Sequence, residues 1–383
     1  MDLTFLFDWL GERGTGAAGG AVIGIVFGAF AQQSRFCLRA AAVEFSRGAI
    51  GQKVAVWLLV FSAAIFGTQL LMVADVASLG DARQLASPQS LSGAAIGGLM
   101  FGCGMVLARG CASRLLVLSA TGNLRALLAG LVFAVVAQAS LHGFLSPARD
   151  AIAGAVTTTH MGGNDLLSFA GLSQTAALTL TILWLAGSLI LAARSKLPAW
   201  NGIAALLTGT AIPAAWWFTN QMATQAFDPV QIEGVSFTGP SADTLMLFLA
   251  PAASPLDFDI GLVPGVFLGA FLAALATGQL QLQGFVGGAS MRRYLIGASL
   301  MGFGGMLAGG CAVGAGVTGA SIFALSAWVT LSAIWLAAAL TDYALDRYAE
   351  TEKPFSLPDA SCDQRPAADA TASSNTLSSA PSG

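Results

Sequence analysis

Two stretches of the chain carry a cysteine in the same glycine-rich setting. Residues 102–112 read GCGMVLARGCA and residues 302–312 read GFGGMLAGGCA, and the two align without a gap. Each stretch is apolar and places a thiol after its glycines, Cys111 in the first copy and Cys311 in the second. Glycine lets a membrane helix break at mid-depth, and duplicated broken helices build one central site from two halves. The repeat therefore predicts a transport pathway lined by cysteine sulfur.

A thiol is a weak hydrogen-bond donor and a soft, polarisable acceptor, so it suits a soft, sulfur-bearing anion. Such a group passes an anion along without holding it, as conduction requires. The alternative is that these cysteines are small apolar packing residues. Repetition weakens that alternative for Cys111 and Cys311, and it stays open for Cys37 at the end of the first apolar segment. Cys103 aligns with Phe303 and is predicted to be a packing residue.

Helix starts offer a second means of attracting an anion, through free N–H groups and the positive end of the helix dipole. Serine, threonine and asparagine in the turns 119–123 and 316–321 are typical helix caps. We therefore expect helix N-termini there, with Thr121, Asn123 and Thr318 as supporting residues of the pathway. Ordinary turns between spans are the alternative.

Arg109 stands two residues before Cys111, whereas glycine takes that place in the second copy. The arginine is either a guide for an anion or a cytoplasmic anchor of the kind that flanks membrane spans. Five widely spaced cysteines with no CxxC pair, and only two histidines, give no metal-site spacing. We expect no metal and no cofactor.

The composition is that of an integral membrane protein. Of 383 residues, 55% are hydrophobic and 10% are charged, whereas soluble domains carry about 25% charged residues. The mean hydropathy is +0.73, and the 46 glycines allow helices to approach closely. A formal net charge of −3 gives no indication of nucleic-acid binding.

Nine segments are apolar over about the 20 residues that a spanning helix needs. They are residues 17–34, 54–74, 91–109, 124–142, 174–193, 202–219, 260–278, 294–310 and 322–341. Two shorter pieces, 146–160 and 243–252, are expected to be interfacial or re-entrant. The sequence thus predicts an all-α integral membrane protein with about nine transmembrane helices plus short re-entrant helices.

Arginine and lysine mark the expected cytoplasmic loops. They cluster after the first segment and before the eighth, whereas the acidic connection 220–259 has neither. On this count the amino terminus lies outside, and the two cysteine-bearing copies cross the membrane in opposite directions, as in an inverted repeat. A weaker similarity between residues 24–30 and 265–271 runs in the same direction and does not fit simple inversion.

The predicted organisation has two repeat halves around a connecting region. The tail is rich in serine, alanine and proline and is expected to be disordered. The expected units are an N-terminal segment (1–16), a first half with Cys37 and Cys111 (17–142), connecting helices and outward-facing loops (143–259), a second half with Cys311 (260–344) and the tail (345–383).

The chain resembles the YeeE/YedE family of bacterial sulfur transport proteins. The resemblance is carried by Arg35-Phe36-Cys37 and by the segments that end at Cys111 and Cys311. It implies an hourglass-like inverted-repeat architecture, a multi-pass location in the bacterial inner membrane, and thiosulfate as substrate. It also implies that the three cysteines hand the anion along by S–H···S contacts. Some relatives work with a small TusA-like sulfur carrier, which here would be a separate chain.

The expected function is therefore an inner-membrane uptake permease for thiosulfate, and not an enzyme. One alternative is a permease for another sulfur or selenium anion. A second is a membrane-embedded sulfurtransferase or redox enzyme with a cysteine nucleophile. A reactive thiolate needs a nearby cation, histidine or helix N-terminus, and Arg109 and Arg114 stand close to Cys111 in the sequence.

Overall fold

The computed structural model describes residues 3–161, 163–249, 256–284 and 288–351, and its regular structure there is helical. The α-helices are α1 (Thr4–Ser34), α2 (Leu38–Ser46), α3 (Gln52–Val73), α4 (Arg83–Ala86), α5 (Leu91–Leu107), α6 (Ala112–Ala120), α7 (Leu124–Leu141), α8 (Ser146–Ala153), α9 (Leu166–Ala170), α10 (Gln174–Arg194), α11 (Ala199–Gln225), α12 (Thr238–Leu249), α13 (Phe258–Ala276), α14 (Gly288–Leu307), α15 (Gly319–Ser321) and α16 (Leu325–Thr351). A 3₁₀ turn covers Thr158–Met161, and a π-helix covers Ala312–Thr318.

The long helices confirm an all-α membrane protein. In the described part of the chain, 8 helices are long and apolar enough to cross a membrane. A bent pair, Ser290–Leu307 with Ala312–Ser321, makes a ninth if it is one span, and its parts meet at 41°. Each of the nine predicted segments lies on one of these helices. The count of nine and the hourglass-like inverted repeat stay predictions.

Two short helices were not expected from the sequence. The region between the first two spans was assigned to a cytoplasmic loop, but Leu38–Ser46 forms α2, with Leu38 and Ala41 fully buried. Similarly, α6 fills most of the connection between α5 and α7. Each has 9 residues, which is too short for a hydropathy signal of a span. Their burial shows that these connections belong to the packed interior.

The tightest helix pair is α1 with α13, and it is built on glycine. Spaced glycines of one helix lie on the main chain of the other, as in the small-residue packing of membrane helices. Gly20 and Gly24 face Phe258 and Leu262, and Gly265 faces Ala21. Residue numbers rise together along the interface, so α1 and α13 run parallel. This agrees with the sequence observation that the two weakly similar segments share one direction.

The two cysteine-bearing copies, α5 and α14, also pack through glycine. A methyl group added to Gly97 would lie 2.5 Å from the carbonyl oxygen of Gly304, and one added to Gly104 would lie 2.5 Å from that of Gly297. Residue numbers rise in one helix as they fall in the other. The copies therefore run antiparallel, in the opposed directions that the sequence predicted.

The end of α16 is tied to α2 by charge. Arg47 binds Asp342 at 3.0 Å and Asp346 at 2.8 Å. The disordered tail was expected from residue 345, but α16 continues to Thr351, because the ion pairs and the helix's own packing hold this stretch. The remainder of the predicted tail, 352–383, lies outside the described residues.

The glycine interface gives a direct test of the α1–α13 packing. Gly24→Ala would drive a methyl group into the carbonyl oxygen of Leu262, whereas nothing lies within 4 Å of a methyl group at Gly187 in α10. We expect Gly24→Ala to lower the free energy of unfolding by roughly 1–3 kcal/mol, the usual cost of overpacking. Gly187→Ala should be neutral or stabilising by up to about 1 kcal/mol, from helix propensity. Thermal unfolding in detergent measures both, and equal behaviour of the two variants contradicts the interface.

Candidate substrate pathway

The three membrane cysteines Cys37, Cys111 and Cys311 occupy the same structural position at three helix breaks. Two residues before each cysteine, the chain takes a left-handed conformation. The φ angles of these residues are 55° at Arg35, 57° at Arg109 and 77° at Gly309. A left-handed residue costs about 1–2 kcal/mol when it is not glycine. Two of the breaks thus hold an arginine in strained backbone, which is common at functional sites.

Each break ends its long helix with the same pair of main-chain hydrogen bonds. In the second break, Arg109 N–H donates to Val106 O at 3.3 Å and Gly110 N–H donates to Met105 O at 3.1 Å. The first and third breaks repeat these bonds, three and five residues back along the chain. This is the Schellman arrangement, which gives partners to the last carbonyl groups of a helix. A helix can therefore stop inside the protein without orphaned carbonyls.

Each cysteine then becomes the first residue of a new short helix. Cys37 is the N-cap of α2, Cys111 of α6 and Cys311 of the π-helix. The thiols are buried, with 3%, 1% and 1% exposure in that order. The sulfur of Cys311 accepts the N–H of Gly314 at 3.3 Å. The three thiols thus sit at the positive ends of helices, where N–H groups attract negative charge.

Cys111 and Cys311 are both buried, at 1% exposure each. The Cys111 thiol lies 3.4 Å from the Ser113 hydroxyl, and the two cysteines are within electrostatic range of each other. The structure thus brings together thiols from the two glycine-rich copies, which lie far apart in the sequence.

A fourth break has the same geometry but no thiol. This break follows α13, at Gly278, whose φ is 65°. The N–H groups of Gly278 and Gln279 donate to the carbonyl oxygens of Leu275 and Ala274. The position equivalent to the cysteines is Leu280. The chain then runs beside the turn between α6 and α7, with Gln283 N–H donating to Gly122 O at 3.0 Å. The sequence did not reveal that the breaks at Arg35 and Gly278 resemble each other, because these two residues share a backbone conformation and not a residue type.

Not all of the helix N-termini lie where the sequence predicted them. They were predicted in the turns at 119–123 and 316–321, and α7 does begin after the first of these turns, but α6 and the π-helix begin at the cysteines. Thr121 ends α6 and donates to Leu118 O at 2.8 Å. Thr318 ends the π-helix and donates to Val235 O at 2.6 Å. Asn123 does cap a helix, α7, by accepting the N–H of Ala126 at 3.1 Å. The difference arises because α6 and the π-helix fill the chain between each break and its turn.

One other described cysteine lies away from the breaks. Cys103 is half-buried in the middle of α5 and accepts a hydrogen bond from the Thr341 hydroxyl of α16 at 3.2 Å. That position joins two helices, as a packing residue does. Cys362 lies outside the described residues. Among those residues, no group of three or more histidine, cysteine or acidic side chains is placed to hold a metal ion.

A cavity of about 770 Å³ leads to the third break. Gly309, Gly310 and Gly314 line it, and the latter two flank Cys311. Its other walls come from α1, α11, α12, α13 and the segment 228–236. This is the side that the distribution of arginine and lysine assigns to the outside. The cavity thus provides an approach from that side to the backbone around Cys311.

Carboxylates line this cavity together with three arginines, Arg13, Arg83 and Arg149. Burial raises the pKa of Glu233 to about 7, against the charge of Arg83 and with the help of Asp257 and Asp243. Burial also raises the pKa of Asp243, with Asp257 adding to the shift and His142 opposing it. Asp259 has one carboxylate oxygen buried without a hydrogen-bond partner. Near neutral pH this wall of the cavity therefore changes its charge. The sequence showed these acids, but only as an acidic connection that marked the outside.

Comparison with known proteins agrees with a role in sulfur transport. A family described as sulphur transport matches residues 33–340. The thiosulfate transporter TsuA of Spirochaeta thermophila is 26% identical over 307 residues, which are 76% of this chain and 87% of that protein. The matched region contains all four breaks and the three membrane thiols. The chain is therefore a multi-pass membrane transporter and not an enzyme, and it belongs to the sulphur transport family.

Proposed function

We propose that the chain is an inner-membrane uptake permease for thiosulfate whose central path is formed by Cys311, Cys111 and Cys37. The supporting observation is the repeated geometry: three buried thiols, each the N-cap of a short helix. The cavity reaches the backbone beside Cys311, so this thiol meets the anion first. Cys111 follows in the opposed copy, and Cys37 completes the path.

The physical problem of such a path is desolvation. An oxyanion that leaves water needs hydrogen-bond donors in place of its hydration shell. The first-turn N–H groups of each short helix, its dipole and one S–H group supply them. Thiosulfate carries a soft terminal sulfur, which matches a polarisable thiol better than a hard oxyanion does. Weak, repeated sites of this kind allow entry and release.

Substrate identity separates this proposal from its nearest rivals. The TsuA relative is named for thiosulfate, and the same thiols would also suit another soft sulfur or selenium anion. Competition by selenite and sulfate against labelled thiosulfate ranks these candidates. A separate TusA-like carrier on the cytoplasmic side stays a prediction from the family resemblance.

Removal of one relay thiol is the first test. We expect Cys311→Ala and Cys111→Ala each to lower the initial rate of labelled thiosulfate uptake into proteoliposomes at least tenfold. The reason is that a hydrogen bond to a charged partner contributes about 1.5–3 kcal/mol. Cys103→Ala removes a membrane thiol away from the breaks and is the matched control, expected to keep most of the rate. Full uptake by both relay variants would contradict the proposal.

Serine substitution separates the softness of sulfur from its donor function. Cys311→Ser keeps an O–H donor at the N-cap and loses the polarisable atom. We expect it to transport thiosulfate more slowly than the wild type and to discriminate less against sulfate. The ratio of the two uptake rates is the measurement. An unchanged ratio would mean that the thiol contributes only a hydrogen bond.

The cavity carboxylates predict a pH dependence. Because the pKa of Glu233 is raised to about 7, this side chain is neutral below that pH and repels an entering anion above it. Uptake should therefore fall as the outside pH rises from 6 to 8, by a factor of about three to ten at one unit charge in a partly screened site. Glu233→Gln should flatten the profile, whereas Asp81→Asn, which alters an exposed carboxylate outside the cavity lining, should not. A wild-type profile that is flat, or that rises with pH, excludes this role.

A further inference from the structure

Four arginines lie in or near the breaks that carry Cys37 and Cys111, and none of them has a carboxylate partner among the described residues. They are Arg39 on α2, Arg109 in the second break, Arg114 on α6 and Arg293 on α14. In the described part of the chain, ion pairs involve only Arg47 and Arg149. These four guanidinium groups are therefore uncompensated by any described acid.

The four arginines lie around a common region. The charges of Arg109 and Arg39 both act on Arg293, so these three groups are within electrostatic range. The side-chain stem of Arg114 lies on the same break, 3.6 Å from the position that a Cβ atom of Gly110 would take. Arg39, Arg109 and Arg293, from elements that are distant in the sequence, thus form one positively charged group, and Arg114 stands on the helix that begins at Cys111.

Arg114 is the critical member, because it is only 7% exposed. Its Nε and Nη1 atoms are buried and make no hydrogen bond, and neither does Nε of Arg39. An arginine does not escape burial by losing its proton. A buried charge without a partner is strongly unfavourable. Glu44, on the same helix as Arg39, accepts the N–H of Val54 at 2.9 Å, and Asp342 binds Arg47.

A small oxyanion fits what these groups offer. The planar guanidinium fork binds oxyanions through two parallel N–H donors. The first turn of α6 adds free N–H groups beside it. We propose that Arg114, together with Arg39, Arg109 and Arg293, forms an inner anion-binding site that takes the transported oxyanion from the thiols before its release.

This inference rests on the proposed transport function and adds a direction to it. An inside-negative membrane potential opposes the inward movement of an anion, and fixed cations at the inner end lower the local energy of an anion that has passed the thiols. Arg109 and Arg293 are only half-buried, so the site stays open to solvent and a bound anion is able to leave. The thiols pass the anion along, and the arginines receive it.

The test compares Arg114→Gln with wild type in two measurements on the full chain. The first is thermal unfolding in detergent, with and without thiosulfate or sulfate. We expect the wild type to be stabilised by both anions and the variant to lose that shift, while its stability without anion is unchanged or higher because an unpaired buried charge has been removed. The second is thiosulfate uptake into proteoliposomes, which should fall at least tenfold.

Two further variants sharpen the comparison. Arg114→Lys keeps the charge without the fork and should restore part of the shift and of the uptake. Arg194→Gln removes an exposed arginine at the end of α10 and should match the wild type in both. A purely structural arginine would behave differently: Arg114→Gln would then lower the stability without anion and retain the anion-induced shift, and this result overturns the proposal.

Failure of the inner site and failure of the transport function are distinguishable. Wild-type uptake of thiosulfate with unchanged uptake and anion stabilisation in Arg114→Gln refutes the site alone. Absence of wild-type uptake, together with sulfate stabilisation that depends on Arg114, refutes thiosulfate transport and supports the anion site. Absence of both uptake and anion stabilisation in the wild type refutes both.

Discussion

The structure depends on how a helix stops inside a membrane protein. Main-chain polar groups must have partners there, since no water is at hand to replace them. A pair of main-chain hydrogen bonds meets this demand for the last carbonyl groups of each broken helix. The bonds are donated at Arg35, Arg109, Gly278 and Gly309 and at the residue after each. The chain can then begin a new helix at once, and its first N–H groups are left free. At three of the four ends a cysteine occupies that first position.

The charges of the side chains change along the proposed path in a way that suits an anion. Carboxylates with raised pKa values lie in the outer cavity, represented by Glu233 and Asp243. The proposed path continues past the thiols at the N-termini of short helices. Arginines without described acid partners lie at the inner end, with Arg114 the most buried. On the proposed path, an anion moving inward would pass from a titratable outer wall, past the thiols, to a cluster of arginines at the inner end.

Much of the fold was predictable because hydropathy alone marks long apolar helices. The antiparallel copies α5 and α14 were also predictable, since their glycines and cysteines align residue by residue. Helices α2 and α6 were missed because 9 residues give no span signal. Their starts gave no signal either, because serine, threonine and asparagine are the usual caps, and the N-cap residue here is cysteine.

Other parts of the site could not be predicted from the sequence. The chain breaks in the same way at Arg35 and at Gly278. This likeness lies in the backbone conformation, because different residue types take the left-handed position. The acids of the outer cavity were visible, but their position above Cys311 depends on how the segment 228–236 packs on the π-helix. The isolation of Arg114 from acids follows only from the packed structure.

The central claim is that a sulfur anion travels between thiols at helix N-termini. A structure with bound thiosulfate, phased to locate sulfur by anomalous scattering, tests it most directly. The account predicts anion sulfur within hydrogen-bond distance of Cys311 or Cys111, with oxygens on the adjacent N–H groups. Thiosulfate bound only away from all three breaks, with the thiols packed against apolar side chains, would contradict it.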